Sequence, residues 1–266
     1  MMPIISYPEV ARWTGAIGHL RGIGLAGAVW LAVAGGPSFA AEPSPGQAAC
    51  ADTALVLAID GSGSIDDADY ALQMQGYASA FRSREVHLAL RMAGVVDIAV
   101  VLWGDGDLSA QILPFQRIVD AAGAERLAVE MEGMTREVTG NTGLARGIEV
   151  ALDLLAEPGV CALRKIVDVS GDGRQKHMRM RHPVATLDDL RKRAEAMDVT
   201  INALAIETDD DGLAEYFESR VTVGQTAFVI PIRSMRDFGD AIIEKLQREL
   251  MATGDKEDVP RRMKRG

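Results

Sequence analysis

The sequence predicts an α/β protein of three layers: a mostly parallel central sheet of six strands, one of them an antiparallel edge strand, with helices on both faces. From residue 53 onward, short apolar runs alternate with amphipathic helical segments, a pattern typical of parallel sheets with helical crossovers. A second observation concerns one edge, where two strands are separated only by residues 104–109. Because a parallel crossover is longer than this, we expect an antiparallel hairpin there.

The six strands are predicted from their apolar runs. Four strands are readable, at 54–60, 96–103, 164–170 and 200–206. The run at 55–59 is continuous and is followed by Asp60 and glycines, which is typical of a strand buried on both faces. Two weaker runs complete the sheet, at 110–115 and 226–230.

Five helices are predicted from apolar residues that recur at helical spacing. The clearest is the helix at 143–156, whose buried face is formed by Leu144, Ile148, Ala151 and Leu155. The others are predicted at 68–81, 121–131, 187–197 and 235–250.

Residues 1–40 have the layout of a secretory signal and are set apart from the fold. Arg12 and Arg21 precede an uncharged apolar stretch at 22–34, and small residues occupy the two positions that a signal peptidase reads. An uncleaved membrane anchor is the alternative, but the apolar stretch is shorter than the roughly 20 residues that span a bilayer. We therefore expect cleavage after Ala40 and a periplasmic or secreted protein.

The rest of the chain is predicted to be a short linker at 41–52, one domain at 53–251 and a disordered tail of mixed charge at 252–266. The chain has 266 residues, of which 48% are hydrophobic and 25% charged, as in a globular protein with one large domain. The net charge of −10 argues against nucleic-acid binding, which needs a basic surface.

Cys50 and Cys161 are the only two cysteines, and an oxidising compartment permits a disulfide between them. Cys50 stands ten residues before Asp60, and Cys161 stands eleven residues before Asp172. If the two strands that follow the cysteines are adjacent and parallel, both cysteines lie at the same edge of the sheet. A bridge is then geometrically possible, and two unrelated free thiols are the alternative.

Three oxygen-bearing side chains follow the first strand. Asp60 stands where that strand leaves the core, and Ser62 and Ser64, two residues apart in an extended turn, can point the same way as Asp60. One carboxylate and two hydroxyls suit a hard divalent cation such as Mg²⁺ or Ca²⁺. The alternative is a glycine-rich turn whose serines only cap the next helix.

Two further donors belong to other segments. Asp172 stands between glycines after the strand at 164–170, and Thr142 stands just before the helix at 143–156. Each residue alone suits a turn or a helix N-cap. Open α/β sheets, however, bind ligands beyond the carboxyl ends of their strands, and three such segments together favour one shared site.

This D-x-S-x-S…T…D pattern resembles the metal-ion-dependent adhesion site of von Willebrand factor A (VWA) domains, whose fold is Rossmann-like. The segments V-S-G-D-G at 169–173, I-N-A-L-A-I at 201–206 and A-F-V at 227–229, with the last helix, are most similar to an uncharacterised bacterial family of exported VWA-like proteins, domain of unknown function 1194. The resemblance implies that Mg²⁺, Mn²⁺ or Ca²⁺ is bound directly by the hydroxyls of Ser62, Ser64 and Thr142, and directly or through water by Asp60 and Asp172. It also implies that a protein partner donates a carboxylate to the ion.

The loop after Asp172 is strongly basic over residues 174–182, and two interpretations of it stay open. Its cations attract and fix an acidic partner, in which case the binding residues are Arg174, Lys176, Arg179 and Arg181. Alternatively, the loop is a solvated turn that balances nearby acids.

The sequence thus predicts an exported, non-enzymatic VWA-like module that binds a divalent cation and uses it to bind an acidic group of a protein partner. The main alternative is a metal-dependent phosphoester hydrolase on a similar sheet. Such an enzyme usually has a second carboxylate two residues after the first, where this chain has Ser62. A structural domain with a degenerate site is disfavoured because all five ligand types are present.

Overall fold

The computed structural model describes residues 49–105, 108, 110–176 and 185–252. Six strands form one sheet in the order β3-β2-β1-β4-β5-β6. All neighbouring strands are parallel except β2 and β3, which form the antiparallel hairpin at one edge, and the predicted fold class is confirmed. The strands are β1 (Ala51–Asp60), β2 (Val96–Trp103), β3 (Ala110–Ile118), β4 (Ala162–Gly171), β5 (Val199–Ile206) and β6 (Val229–Ile232).

Helices cover both faces of the sheet. They are α1 (Asp67–Arg82), α2 (Arg84–Ala93), α3 (Ala121–Gly133), α4 (Leu144–Leu155), α5 (Leu187–Ala196), α6 (Leu213–Arg220) and α7 (Phe238–Met251). One apolar core joins the sheet to α1, α2, α3 and α7, and a second joins it to α4, α5 and α6. Alternate residues of β1 enter the two cores, with Leu57 in the first and Val56 in the second. The continuous apolar run of β1 follows from burial on both faces.

The element boundaries differ from the sequence prediction in several places. Helices α2 and α6 were not predicted; α2 follows α1 after Ser83 alone, whose side chain accepts a hydrogen bond from the amide of Val86. Strand β6 is displaced toward the C-terminus of the predicted run at 226–230. Strand β3 is longer than predicted and includes Pro114, which an edge strand tolerates because one side of its backbone needs no partner.

The predicted disulfide between Cys50 and Cys161 is present, with the two Cα atoms 4.7 Å apart. Strand β1 begins at Ala51, at the end of the predicted linker 41–52, because the amide of Ala51 donates to the carbonyl of Cys161 at 2.9 Å. The bridge therefore joins β1 and β4 where both strands begin. The predicted signal at 1–40 and, apart from Ala252, the predicted tail at 252–266 lie outside the described residues.

A buried ionic cluster attaches α7 to the middle of the sheet. Lys245 of α7 is fully buried, and its Nζ contacts Oδ1 of Asp168 on β4 and lies 3.0 Å from Oε1 of Glu249. The amide nitrogen of Asn202 on β5 donates to the same Glu249 oxygen at 2.9 Å. Burial and the neighbouring Asp168 raise the pKa of Glu249 to about 8.

No helix within the described part of the chain has both the length and the apolar character needed to cross a membrane.

Candidate metal centre

The five predicted donors meet at the edge of the sheet where β1 and β4 end. Asp60 is the last residue of β1 and stands in register with Trp103, the last residue of β2. The amide of Gly61 donates to the carbonyl of Trp103 at 2.9 Å, which extends the pairing one residue past the strand. Since Asp172 follows β4 on the other side of β1, the carboxyl ends of these strands form one shared surface.

The turn after β1 connects Asp60 to Asp172 through a chain of hydrogen bonds. The amide of Ser62 donates to Oδ1 of Asp60 at 2.8 Å. The hydroxyls of Ser62 and Ser64 lie 3.1 Å apart, and the Ser64 hydroxyl donates to Oδ1 of Asp172 at 2.8 Å. Two carboxylates and two hydroxyls thus lie together, and the bond from Ser64 to Asp172 joins residues 108 positions apart in the sequence.

Thr142 completes the group from a third segment. Its side chain is buried, and its Oγ1 has no hydrogen-bond partner in the described part of the molecule. The N-cap of α4 is Gly143, which makes no side-chain cap, so helix capping does not explain the threonine. A Cβ atom placed on Gly173 would lie 3.1 Å from Thr142 Oγ1. The hydroxyl therefore lies against the residue that follows Asp172.

Glycines on both sides of Asp172 allow this close approach. A Cβ atom on Gly171 would lie 3.1 Å from the free oxygen of Asp60, Oδ2, just as one on Gly173 would crowd Thr142. Side chains at these two positions would occupy the space between the donors. Because neither glycine has a side chain, the chain around Asp172 can approach both the segment of Asp60 and the segment of Thr142.

The electrostatics of the centre are those of an uncompensated buried acid. Asp60 is fully buried, and its pKa is raised from 3.8 to about 8, first by burial and then by the charge of Asp172. Hydrogen bonds from Ser62 and from the backbone lower it in part. None of the groups that shift this pKa is a basic side chain, and Asp60 Oδ2 has no hydrogen-bond partner among the described residues.

These features fit a divalent cation. A buried carboxylate without a partner is costly, and a cation beside Asp60 and Asp172 would offset that cost. Carboxylate and hydroxyl oxygens are the ligands that Mg²⁺ and Ca²⁺ prefer. No three His, Cys, Asp or Glu side chains gather in a way that suits a metal among the described residues; the centre combines two carboxylates with three hydroxyls.

In the basic loop after the centre, the contacts of Arg174 agree with the interpretation that the loop balances nearby acids. Arg174 forms two hydrogen bonds with Asp210, at 2.6 and 3.0 Å, and its guanidinium lies 5.2 Å from the centre of the Tyr216 ring. It is thus engaged within the chain and balances a nearby acid. Lys176 is exposed, whereas Arg179 and Arg181 lie outside the described residues.

Sequence reasoning missed three residues that support the centre. Asp105, two residues after the end of β2, accepts a hydrogen bond from the amide of Asn141. Gln175 accepts one from the amide of Ala145 at 2.6 Å, and the amide nitrogen of Gln73 lies 3.3 Å from the Asp60 carbonyl. Asp105 could have been found by the strand-end rule used for Asp60 and Asp172, but no local pattern marks the two glutamines.

An open pocket of about 430 Å³ adjoins the centre. Gly61 and Gly63, which alternate with the donors of the first turn, line one side of it. Tyr70 and Arg136 line another, with the guanidinium 5.5 Å from the ring centre. The pocket beside the first turn thus has both aromatic and charged character.

The sheet order, the antiparallel edge strand and the donors at the carboxyl edge together define a VWA-like α/β protein, as the resemblance implied. Residues 49–254 match the family described as "Protein of unknown function (DUF1194)". The chain belongs to this family, which is the one that the sequence motifs indicated.

Solved structures with the same fold include two surface proteins of bacteria. The pilus adhesin SpaC from Lactobacillus rhamnosus GG, in its open conformation, matches with a TM-score of 0.52 and 14% identity over 77% of this chain. The minor pilin PilB from Streptococcus sanguinis matches with a TM-score of 0.50 and 12% identity over 79% of this chain. The matched region spans 30% of SpaC and 64% of PilB.

The VWA domain of SpRpn10 matches with a TM-score of 0.48 and 17% identity, over 72% of this chain and 94% of that domain. Among proteins with curated descriptions, none matches the chain. Identities this low concern the fold alone.

Proposed function

We propose that this protein is an exported, non-enzymatic module that binds a divalent cation at the strand-end centre and uses it to hold an acidic group of a protein partner. The observation that carries the proposal is the buried Asp60, whose Oδ2 has no hydrogen-bond partner among the described residues. The unpaired hydroxyl of Thr142 and three further oxygen donors, on Ser62, Ser64 and Asp172, belong to the same centre.

The cation supplies positive charge, and the chain supplies its oxygen ligands. Ser62, Ser64 and Thr142 would contribute hydroxyls, and Asp60 and Asp172 would contribute carboxylates directly or through water. Mg²⁺ takes six ligands in near-octahedral geometry, one more than these residues offer. A carboxylate from a partner suits the remaining position because the ion attracts it and the burial of Asp60 strengthens that attraction.

Two features of the chain support the other parts of the proposal. The position two residues after Asp60, where a phosphoester hydrolase usually has its second carboxylate, is Ser62. The disulfide between Cys50 and Cys161 suits an oxidising compartment such as the periplasm or the cell exterior, in agreement with the signal predicted at 1–40.

Calorimetric titration of the purified protein with Mg²⁺, Mn²⁺ and Ca²⁺ tests the centre. We expect binding by the parent and none by Asp60→Asn or by the double variant Ser62→Ala/Ser64→Ala. Asp153→Ala is the matched control, since Asp153 lies on α4 in an exposed ion pair with Arg193. Equal binding by the parent and Asp60→Asn would remove the basis of the proposal.

The partner and the absence of catalysis need separate tests. Immobilised protein is exposed to periplasmic extract in Mg²⁺ or in EDTA, beside Asp60→Asn. We expect a protein that is retained only by the parent and only in Mg²⁺. Turnover of a generic phosphoester in Mg²⁺, lost in Asp60→Asn, would instead establish the hydrolase.

A further inference from the structure

The segment that carries Thr142 has no side-chain cap of its own. Helix α4 begins at Leu144, two residues after Thr142, and its N-cap Gly143 offers no side chain to the first free amides. Helices normally satisfy these amides with a Ser, Thr, Asp or Asn at the N-cap. The start of α4 therefore depends on an acceptor from elsewhere in the chain.

Gln175 supplies that acceptor from the loop after β4. Its Oε1 accepts from the amide of Ala145 at 2.6 Å, and its Nε2 donates to the Lys176 carbonyl at 3.0 Å, which fixes the orientation of the side-chain amide. The amide of Lys176 lies 3.3 Å from the carbonyl oxygen of Thr142 and donates to it. Two adjacent residues of this loop thus bind the chain at Thr142 and three residues beyond it.

The Thr142 hydroxyl is not held by any hydrogen bond of its own within the described residues. Its position is set by the backbone around it. On the side preceding Thr142, the carbonyl of Gly140 accepts from the amide of Gly63 at 2.7 Å. On the side following it, the side-chain contact from the Asp172 loop is made by Gln175.

We propose that Gln175 is a positioning residue of the metal centre, which caps α4 from the Asp172 loop and so fixes the Thr142 hydroxyl relative to Asp172. This inference rests on the proposed function. Gln175 does not touch the ion in this account. It sets how far apart two ligands from different segments lie, and supporting residues of this kind typically change metal affinity 10–100-fold.

The first test compares two substitutions of similar size. Gln175→Met removes the acceptor, and Gln175→Glu keeps an oxygen that can accept from Ala145. We expect the Kd for Mg²⁺, measured by calorimetry, to rise about tenfold or more in Gln175→Met and to stay near the parent value in Gln175→Glu.

The matched control is Ser83→Ala, which removes the cap of α2. Helix α2 carries none of the five donors of the centre. Thermal unfolding without metal is measured for each variant. A lost cap should lower the melting temperature of both Gln175→Met and Ser83→Ala, but only Gln175→Met should weaken Mg²⁺ binding.

A double-mutant cycle with Thr142→Ala separates positioning from general loosening of the fold. If Gln175 acts through the threonine hydroxyl, Gln175→Met should add little to the loss of affinity already caused by Thr142→Ala. Independent, multiplying losses would overturn the inference, as would an unchanged Kd in Gln175→Met beside a parent that binds Mg²⁺. A parent that binds none of Mg²⁺, Mn²⁺ and Ca²⁺ would overturn the proposed function, and the inference with it.

Discussion

Two groups of buried acids in this molecule differ in one component. In the α7 cluster, Asp168 and Glu249 enclose the ammonium of Lys245. In the strand-end centre, Asp60 and Asp172 act on each other and no basic side chain lowers the pKa of Asp60. The cluster has its counter-ion within the sequence, whereas the centre has oxygen donors without one.

This difference separates a structural role from a binding role. With its own cation and with Glu249 protonated below about pH 8, the α7 cluster is close to neutral at physiological pH. The centre has no basic side chain beside Asp60, so below about pH 8 only a proton neutralises that carboxyl group, and an external cation can take the place of the proton. The following substitutions test this contrast.

The largest expected effect is on the α7 cluster. Lys245→Met removes the cation and leaves Asp168 and Glu249 buried beside each other, which should lower the free energy of unfolding by about 3–5 kcal/mol. Urea unfolding at pH 7 measures it. Lys192→Met, on an exposed face of α5, is the control and should change the value by no more than about 0.5 kcal/mol. Similar values for the two variants would contradict the structural role.

At the centre, in the absence of metal, we expect a substitution to raise the free energy of unfolding. The native pKa of Asp60 is raised from 3.8 to about 8, so the native state binds its proton more tightly than the unfolded state does. The free energy of unfolding therefore falls as the pH rises between these values. Asp60→Asn removes this loss and, in EDTA at pH 9, should therefore have a higher free energy of unfolding than the parent.

Glu249 produces a fall with pH of the same sign, so the parent curve alone does not isolate Asp60. The difference in the free energy of unfolding between the parent and Asp60→Asn isolates Asp60, because both proteins retain Glu249. Unfolding curves at pH 5, 7 and 9 provide the measurement. A parent that is as stable as the variant at pH 9 would mean that Asp60 is already neutralised within the chain.

Protons and the cation should compete at the centre. Below about pH 8, Asp60 must lose a proton before it binds an ion. The apparent Mg²⁺ affinity should therefore fall roughly tenfold for each unit by which the pH is lowered. Calorimetry at pH 6, 7 and 8 gives the slope. A flat profile would show that Asp60 does not exchange its proton for the ion.

The smallest effect is expected in the basic loop. Arg174→Met breaks a pair with Asp210 in which the arginine side chain is 49% exposed, and pairs this exposed contribute little to the free energy of unfolding. Mg²⁺ affinity should not change, because the guanidinium does not serve as the cation of the centre. Urea unfolding and calorimetry check both statements, and a tighter Kd would reveal that Arg174 competes with the ion.

Strand ends were the most predictable part of the molecule. Apolar residues identified β1, β2, β4 and β5, and the parallel arrangement of these strands brings Asp60 and Asp172 to one edge. Helix α6 was missed because its eight residues are too few for a clear periodic signal. Helix α2 was missed because Ser83 alone separates it from α1.

The remaining features depend on contacts far apart in the sequence. Arg174 meets Asp210 36 residues later, and no local pattern distinguishes that pair from a partner-facing arginine. Lys245 and Glu249, four residues apart on α7, resemble an exposed ion pair on a helix surface until the sheet beneath them supplies Asp168. The capping role of Gln175 likewise exists only after α4 and the β4 loop have come together.

The bridge between Cys50 and Cys161 has a consequence for how the protein can respond to an ion. It joins the residues that directly precede β1 and β4. At the other end of the sheet, β1 ends with Asp60 and β4 is followed by Asp172. A shift in register between them would require the disulfide to break. We therefore expect β1 and β4 to keep their relative positions when an ion binds, and any conformational change to be confined to the turns that follow these strands.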